Sequence, residues 1–410
     1  MTPIALFIFA AIVLSGLLEL YLERRQLATV AANKDHVPAA FARQLTLDEH
    51  RRAADYTLAR TRLWLFEKSF ETIVTLLWLL VILAPVSALV SGAIGPSLTR
   101  SVAIVFVVVA IGYVIDLPFT LYRTFRLEAA FGFNRTTPGM FIIDQLKGIA
   151  LQLALGIPLL YAFFAIERAI PFYWWLIGWA GFMILVLAMI VIYPTFIAPL
   201  FNKFTPMPET SLKEKIEALL AKCGFESRGL FVMDASKRST HGNAYFSGFG
   251  KAKRIVFFDT LLQKHSDDEI LSILAHELGH FKFGHIRERV IEAGVLAFVA
   301  FAILGWAFGT PTLTAAFGLP FEPGLVLVIV MFAIGPFAQL LSPLTNFLSR
   351  RAEFQADGFA KSIFGAEPMV TALTKLSRDN LATLTPDRLY AMFYYSHPPI
   401  PERIAHLEAA

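Results

Sequence analysis

A mainly α-helical fold, a bundle of seven transmembrane helices with a small α+β domain on its cytoplasmic side, is predicted by three features of this 410-residue chain. Hydrophobic residues make up 56% of it and charged ones 17%, with a mean hydropathy of +0.60, too apolar for an ordinary soluble domain. Seven stretches are long and apolar enough to cross a bilayer as helices. Between the fifth and sixth lies a long polar segment with strand and helix signals of its own. The formal charge of +4 is small for this length and does not suggest a nucleic-acid partner. The one cysteine, Cys223, excludes an internal disulfide framework and reads as filler rather than nucleophile.

The spans run roughly 3–22, 69–92, 101–122, 148–167, 172–195, 290–308 and 324–347. The first lacks a basic leader and is read as a retained span, not a cleaved signal. Lys and Arg number nine in 23–68, one in 93–100, four in 123–147 and one in 168–171. They number fourteen in 196–289, none in 309–323 and seven after 347. Rich and poor segments alternate, which places the N-terminus outside and the C-terminus in the cytoplasm. The chain then divides into spans one to five (1–195), a cytoplasmic region (196–289), spans six and seven (290–347) and a cytoplasmic C-terminal region (348–410). Glu19, Glu71 and Asp116 fall within spans, where a charge in hydrocarbon costs at least ~2.5–3.5 kcal/mol. A wet internal cavity accounts for all three. Snorkelling or local pairing suits Glu19 and Glu71 better than the central Asp116.

Within 196–289, the β-branched and aromatic run Arg254–Thr260 follows Asn243–Gly250 with turn residues between, the pattern of a hairpin. An exposed strand there can bind an extended peptide by main-chain pairing, or can simply complete a small fold.

Leu274-Ala-His276-Glu277-Leu-Gly-His280 is an H-E-x-x-H motif. Histidines four apart project from one helix face, so both imidazoles reach one metal ion, with Glu277 beside its open position. Zinc held this way brings the pKa of its water toward neutrality, and Glu277 can take the proton as the water attacks a peptide carbonyl. A third protein ligand is needed. The position ten after His276 is Ile286, and His285, five after His280 and about 500° around the helix, points well away from the pair. Glu353 fits better. If 276–308 and 324–358 are antiparallel helices, His280 lies 28 residues before Phe308 and Glu353 lies 29 after Gly324. Both then stand about 42–44 Å from the turn. Gly279, Gly284, Pro336 and Pro343 are places where these helices can break or bend. Asp357, four after Glu353, is placed to accept the second N–H of a ligating histidine; a solvated helix carboxylate is the plainer alternative. Two imidazoles and a carboxylate, a gluzincin-like set, suit one Zn2+ best.

The chain resembles the type I CAAX prenyl endopeptidases, integral-membrane zinc metallopeptidases, over nearly its whole length. The likeness lies in Glu128-Ala-Ala-Phe-Gly-Phe-Asn134-Arg-Thr-Thr137, Tyr193-Pro-Thr-Phe-Ile-Ala-Pro-Leu-Phe-Asn202 and His241-Gly-Asn243-Ala-Tyr-Phe-Ser-Gly248. It continues in the H-E-x-x-H run, Arg350-Arg-Ala-Glu353-Phe-Gln-Ala-Asp357 and Ser396-His397-Pro-Pro. The resemblance implies seven helices around a hollow chamber, His276, His280 and Glu353 as ligands, and Glu277 as catalytic base. It further implies substrate-backbone contacts at Asn243 and Ala244, a tetrahedral-intermediate-steadying role for His397, and scaffolding salt bridges for Arg403. The 309–323 loop is shorter than in eukaryotic members, and Leu-Glu-Ala-Ala410 is not a dilysine-like retrieval signal. Both favour a bacterial inner membrane, with the endoplasmic reticulum as the alternative, and leave open whether the substrate is prenylated.

The leading expectation is a zinc endopeptidase cutting membrane-associated or CAAX-type polypeptides at the bilayer surface. A quality-control protease indifferent to prenylation would use the same site. From other classes, a helical-bundle transporter with an incidental metal site draws on Asp116 and Pro118. A catalytically silent holder of unfolded segments would have no use for Glu277.

Overall fold

The structure is a computed structural model and describes residues 2–42, 44–225, 229–247 and 254–409. Among these residues, seven helices are long and apolar enough to span a membrane. They are α1 (Pro3–Asn33), α2 (Leu47–Ala93), α3 (Leu98–Glu128), α4 (Pro138–Ala169), α5 (Trp174–Phe201), α8 (His285–Phe308) and α9 (Pro323–Phe364). Each coincides with a predicted span. At the short loops around 95, 171 and 315 the helices stop close to the ends of the apolar runs, and at the other end all seven overrun them. The overruns carry 15 of the 36 Lys and Arg and frame the polar unit. Divisions at 195, 289 and 347 therefore fall inside continuous helices, because hydropathy marks the membrane edge and not the end of an element.

Thr2, Ser97 and Thr137 accept N-terminal amide hydrogens as caps, and Thr46 with Glu49 forms a capping box at α2. Pro336 and Pro343 leave α9 unbroken. Widened π segments occupy Arg123–Glu128, just beyond Pro118, and Tyr193–Ile197, which contains Pro194.

The apolar core of the bundle lies toward the short-loop end, around Trp78, Leu83, Ile104, Phe164, Ala307 and Leu325. There a Cβ on Gly324 would stand 2.6 Å from the carbonyl oxygen of Ser101, so α3 and α9 touch at backbone distance. Beside them Arg100 and Ser101 bind the buried Glu322. Elsewhere the spans bury little. The most apolar windows of α4 and α5 are only 6% and 0% buried, as expected of helices that face lipid. A cavity of about 630 Å3 lies among α1, α2, α3 and α9, with Asp116, Glu67, Lys68 and Glu71 in its lining. Asp116 and Glu71 thus face the interior.

The polar unit is built on a four-stranded sheet: β1 (Phe204–Pro206), β2 (Leu230–Met233), β3 (Ala244–Ser247) and β4 (Arg254–Phe258), ordered β1-β2-β4-β3. The β2–β4 pair is parallel and the other two are antiparallel. The hairpin is present as β3–β4, its turn at 248–253 lying outside the described residues. Strands β1 and β3 are the sheet edges. Helices α6 (Ser211–Lys222) and α7 (Asp267–Lys282) cover an apolar layer that includes Ile216, Phe257, Leu274 and Leu278. Helices α10 (Glu367–Asp379), α11 (Arg388–Tyr394) and α12 (Ile400–Glu408) close the unit against α1 and α9.

One expectation is corrected. The motif helix does not run on into the sixth span: it ends at Lys282, and α8 starts afresh at His285. Gly284, at φ +76°, makes the break in a left-handed conformation that favours glycine.

Candidate metal centre

Helix α7 starts from a capping box, Ser266 with Glu269, followed by Asp267 and Asp268 at the positive end of its dipole. Lys375 of α10 holds Glu269 at 2.8 Å. The helix is buried almost throughout, and its contact with α9 is unusually close. A Cβ at Gly279 would lie 2.9 Å from the Cα of Ala356 and 3.2 Å from the Cβ of Phe359. Glycine lets the two backbones approach, which brings Glu353 and Asp357 level with the motif histidines.

There the Nε2 atoms of His276 and His280 stand 3.2 Å apart. Glu353 Oε2 is 3.3 Å from His276 Nε2, and Glu353 Oε1 is 3.3 Å from His280 Nε2. Zinc binds tetrahedrally at about 2.0–2.1 Å from nitrogen and oxygen, which sets neighbouring ligand atoms about 3.3 Å apart. The three residues therefore form a triangle whose spacings, each histidine measured to its nearer carboxylate oxygen, match those of neighbouring zinc ligands, and with one donor atom from each residue all three lie within 4.8 Å of one another. Glu353 Oε2 is buried without a hydrogen-bond partner among the described residues, and two imidazole nitrogens face each other. Such a cluster calls for a shared cation. His276, His280 and Glu353 form the described group whose donor atoms can hold a metal together.

Each histidine is held from behind. His276 Nδ1 is 2.8 Å from Asp357 Oδ1, and Arg403 of α12 grips that carboxylate at 2.6 and 2.8 Å. Asp357 is fully buried and Arg403 is 7% exposed, so this ion pair is shielded from water. Burial pulls the pKa of His276 down, but the carboxylates of Asp357 and Glu353 beside it more than compensate and carry it to about 9 in the metal-free site. His280 leans on His285, Nδ1 to Nδ1 at 2.9 Å. The sequence expectation that His285 points away fails here, because the break at Gly284 swings the start of α8 back toward the motif.

Glu277, next along α7, is pushed above the ordinary carboxylate range by burial, partly opposed by the charges of His276 and His280. That is the direction in which a carboxyl becomes a better proton acceptor. His397 Nε2 lies 3.3 Å from Glu353 Oε1, and its Nδ1 is 3.0 Å from Ser396 Oγ. The His397 side chain is 65% exposed and lines a second cavity, about 670 Å3, together with Asn243, Trp64 and Tyr394. Trp64 and Tyr394 also line the 630 Å3 cavity, so the two adjoin. Asn243 lies at the start of edge strand β3, its carbonyl accepting from Phe258 N at 3.0 Å. Ala244 is buried against the layer under the sheet.

Sequence reasoning missed three features: the spacer Gly279, the pair His285 and Gln355, and the clamp on the loop before β3. In that clamp His241 stacks on Phe133 at 4.1 Å and its Nδ1 lies 2.8 Å from Asn380 Oδ1. Arg238 pairs with Asp144 at 2.9 Å. Gly284 was the available signal for His285, since a five-residue offset is productive only across a helix break.

A seven-span bundle with an H-E-x-x-H helix packed on its last span, and with a glutamate of that span beside both motif histidines and a cavity-lining His397, defines an integral-membrane metalloendopeptidase. The chain belongs to peptidase family M48. Residues 206–410 match the model of that family, and 26–203 match the CAAX prenyl protease N-terminal region of five membrane helices. It is 45% identical over 297 residues to the CAAX prenyl protease 1 homolog of Oryza sativa, covering 72% of this chain and 70% of the relative. The corresponding human protein is 35% identical over 356 residues, 77% of this chain and 75% of that one. The crystal structure of S. mikatae Ste24p superposes with a TM-score of 0.93 at 28% identity, covering 100% of both chains.

Proposed function

We propose that this metalloendopeptidase holds a single Zn2+ on His276, His280 and Glu353 and cleaves membrane-associated polypeptides, C-terminal CAAX-type segments among them. The observation that carries the reading is the triangle of His276, His280 and Glu353, in which the two Nε2 atoms are 3.2 Å apart and each lies 3.3 Å from one oxygen of Glu353. Zinc there supplies Lewis acidity and a water ionisable near neutral pH. Glu277 is the base that accepts the attacking water's proton and returns it to the leaving amine. With Ser396 as donor to His397 Nδ1, the proton stands on Nε2, beside Glu353 at the edge of the metal site, where it would steady the carbonyl oxygen as it gains charge. Asn243 and Ala244, where β3 begins, hold the substrate's main chain, and Asp357 orients His276. The names of the matched relatives support CAAX processing. The Lys- and Arg-rich helix overruns on the catalytic side support a cytoplasmic active site and C-terminus.

Detergent-purified protein should cleave a CAAX reporter peptide. Glu277→Gln should retain zinc while turnover falls by orders of magnitude, and undiminished turnover would overturn the assignment. The same peptide with and without its farnesyl group decides the substrate class. Equal cleavage of both would favour quality-control proteolysis over prenyl-dependent processing.

A further inference from the structure

We propose that His285 and Gln355 form a positioning relay that fixes which nitrogen of His280 is free to bind the metal, an inference that rests on the zinc reading above. His280 presents Nε2 to the cluster and Nδ1 to His285 Nδ1 at 2.9 Å. On the far side of His285, Nε2 lies 2.9 Å from Gln355 Oε1. An amide oxygen only accepts, so His285 carries its proton on Nε2 and gives it to Gln355. His285 Nδ1 is then bare and accepts from His280 Nδ1–H. That leaves His280 Nε2 with its lone pair directed at Glu353 and His276. The reverse proton order would put a hydrogen on Nε2, inside the triangle, where it would block ligation.

The two ligating histidines are therefore oriented by different chemistry. His276 is backed by a carboxylate and its arginine, whereas His280 is backed by a neutral ring and an amide. Position sets this up. Gln355 lies midway between Glu353 and Asp357 on α9, half a helical turn from either, so it faces the start of α8 while they face α7. The break at Gly284 aims His285 at it. One helix thus supplies a ligand, an orienting group for His276 and, through His285, an orienting group for His280. Outer partners of this kind typically change metal affinity 10–100-fold.

Gln355 is exposed, so replacing it opens no cavity in the core. The test uses full-length protein stripped of zinc and titrated against a chromophoric chelator. Gln355→Glu keeps an accepting oxygen at the end of the relay and should bind zinc within a few-fold of the parent. Gln355→Met has similar length and no acceptor, and should bind about tenfold more weakly, with peptide cleavage restored by excess zinc. His285→Phe should show the same loss. Parent-like affinity in both Gln355→Met and His285→Phe would overturn the relay while the zinc reading stands. A parent protein that binds no zinc would remove the reading itself, and the relay with it.

Discussion

Gly279 and Ala356 pack so closely that no side chain fits between their helices: a Cβ on Gly279 would lie 2.9 Å from the Ala356 Cα. Ala356 sits between Glu353 and Asp357, so this contact sets how far the α9 carboxylates stand from the α7 histidines. The obstacle is backbone and cannot rotate away. Gly279→Ala should therefore push α9 outward and enlarge the donor triangle. Overpacking of this kind costs about 1–3 kcal/mol. The expected result is a folded protein of lower Tm with markedly less bound zinc, read by elemental analysis. Full zinc occupancy in Gly279→Ala would show that the helix separation does not govern the site.

The buried ion pair behind His276 makes a second, separable demand. Asp357→Asn keeps the shape of the side chain but removes the anion, so zinc affinity should fall about 10–100-fold with a small change in Tm. Arg403→Met leaves Asp357 charged and fully buried without its partner. Breaking a buried pair in this way costs about 3–5 kcal/mol, so this variant should lose stability first. Thermal unfolding and chelator competition on the two variants should give opposite orders of severity.

Proton competition at His276 gives the metal site a pH signature. With its pKa lifted to about 9, the metal-free protein carries a proton there at neutral pH that zinc must displace. Apparent zinc affinity should rise about tenfold per pH unit up to that pKa and then level off. Stability of the metal-free fold runs the other way. The folded pKa is raised above the ordinary histidine value of 6.5, so the proton's contribution is complete below that value and is lost as pH rises through about 9. The increase in Tm on adding zinc should therefore grow with pH across this interval. A zinc-induced shift that stays flat over the same range would exclude His276 as a competing ligand.

The membrane architecture was legible because the bilayer demands long apolar runs, and nothing in the tertiary structure overrides that demand. The metal cluster was legible in part for a reason that proved incomplete. Counting residues from the 309–323 loop put His280 and Glu353 at one height on the assumption of a continuous rod from 276 to 308. The rod is broken at Gly284, yet the residues meet, because Gly279 lets α7 pack against α9 directly. Sequence spacing registers a rise along a helix, but the contact of two backbones depends on which face each presents. Misplacement of His285 has the same origin: a single left-handed residue reversed an argument that held for an unbroken helix. Arg403 and His397 lie in segments with no period of their own, so only their similarity to family motifs marked them. The clamp of His241 against Phe133 and Asn380 joins residues more than a hundred positions apart and left no local trace.

Edge strand β3 supports a last expectation, about how a substrate is held. In the sheet order β1-β2-β4-β3 it pairs with β4, and among the described residues no strand pairs with its other edge. The strand begins at Ala244, next to Asn243, which lines the same cavity as His397. The preceding loop is pinned by Thr260 Oγ1 donating to the His241 carbonyl at 2.8 Å, so this edge is held in place before a substrate arrives. Binding that depends on main-chain pairing should tolerate side-chain changes and fail when a peptide N–H is removed. Each such hydrogen bond contributes about 0.5–1.5 kcal/mol net, so methylating one paired amide of a reporter peptide should raise KM up to about tenfold. Exchanging the side chain at the same position between alanine, serine and valine should change KM only a few-fold. A peptide series in which the side chain dominates and N-methylation is silent would place the substrate on some other surface of the cavity.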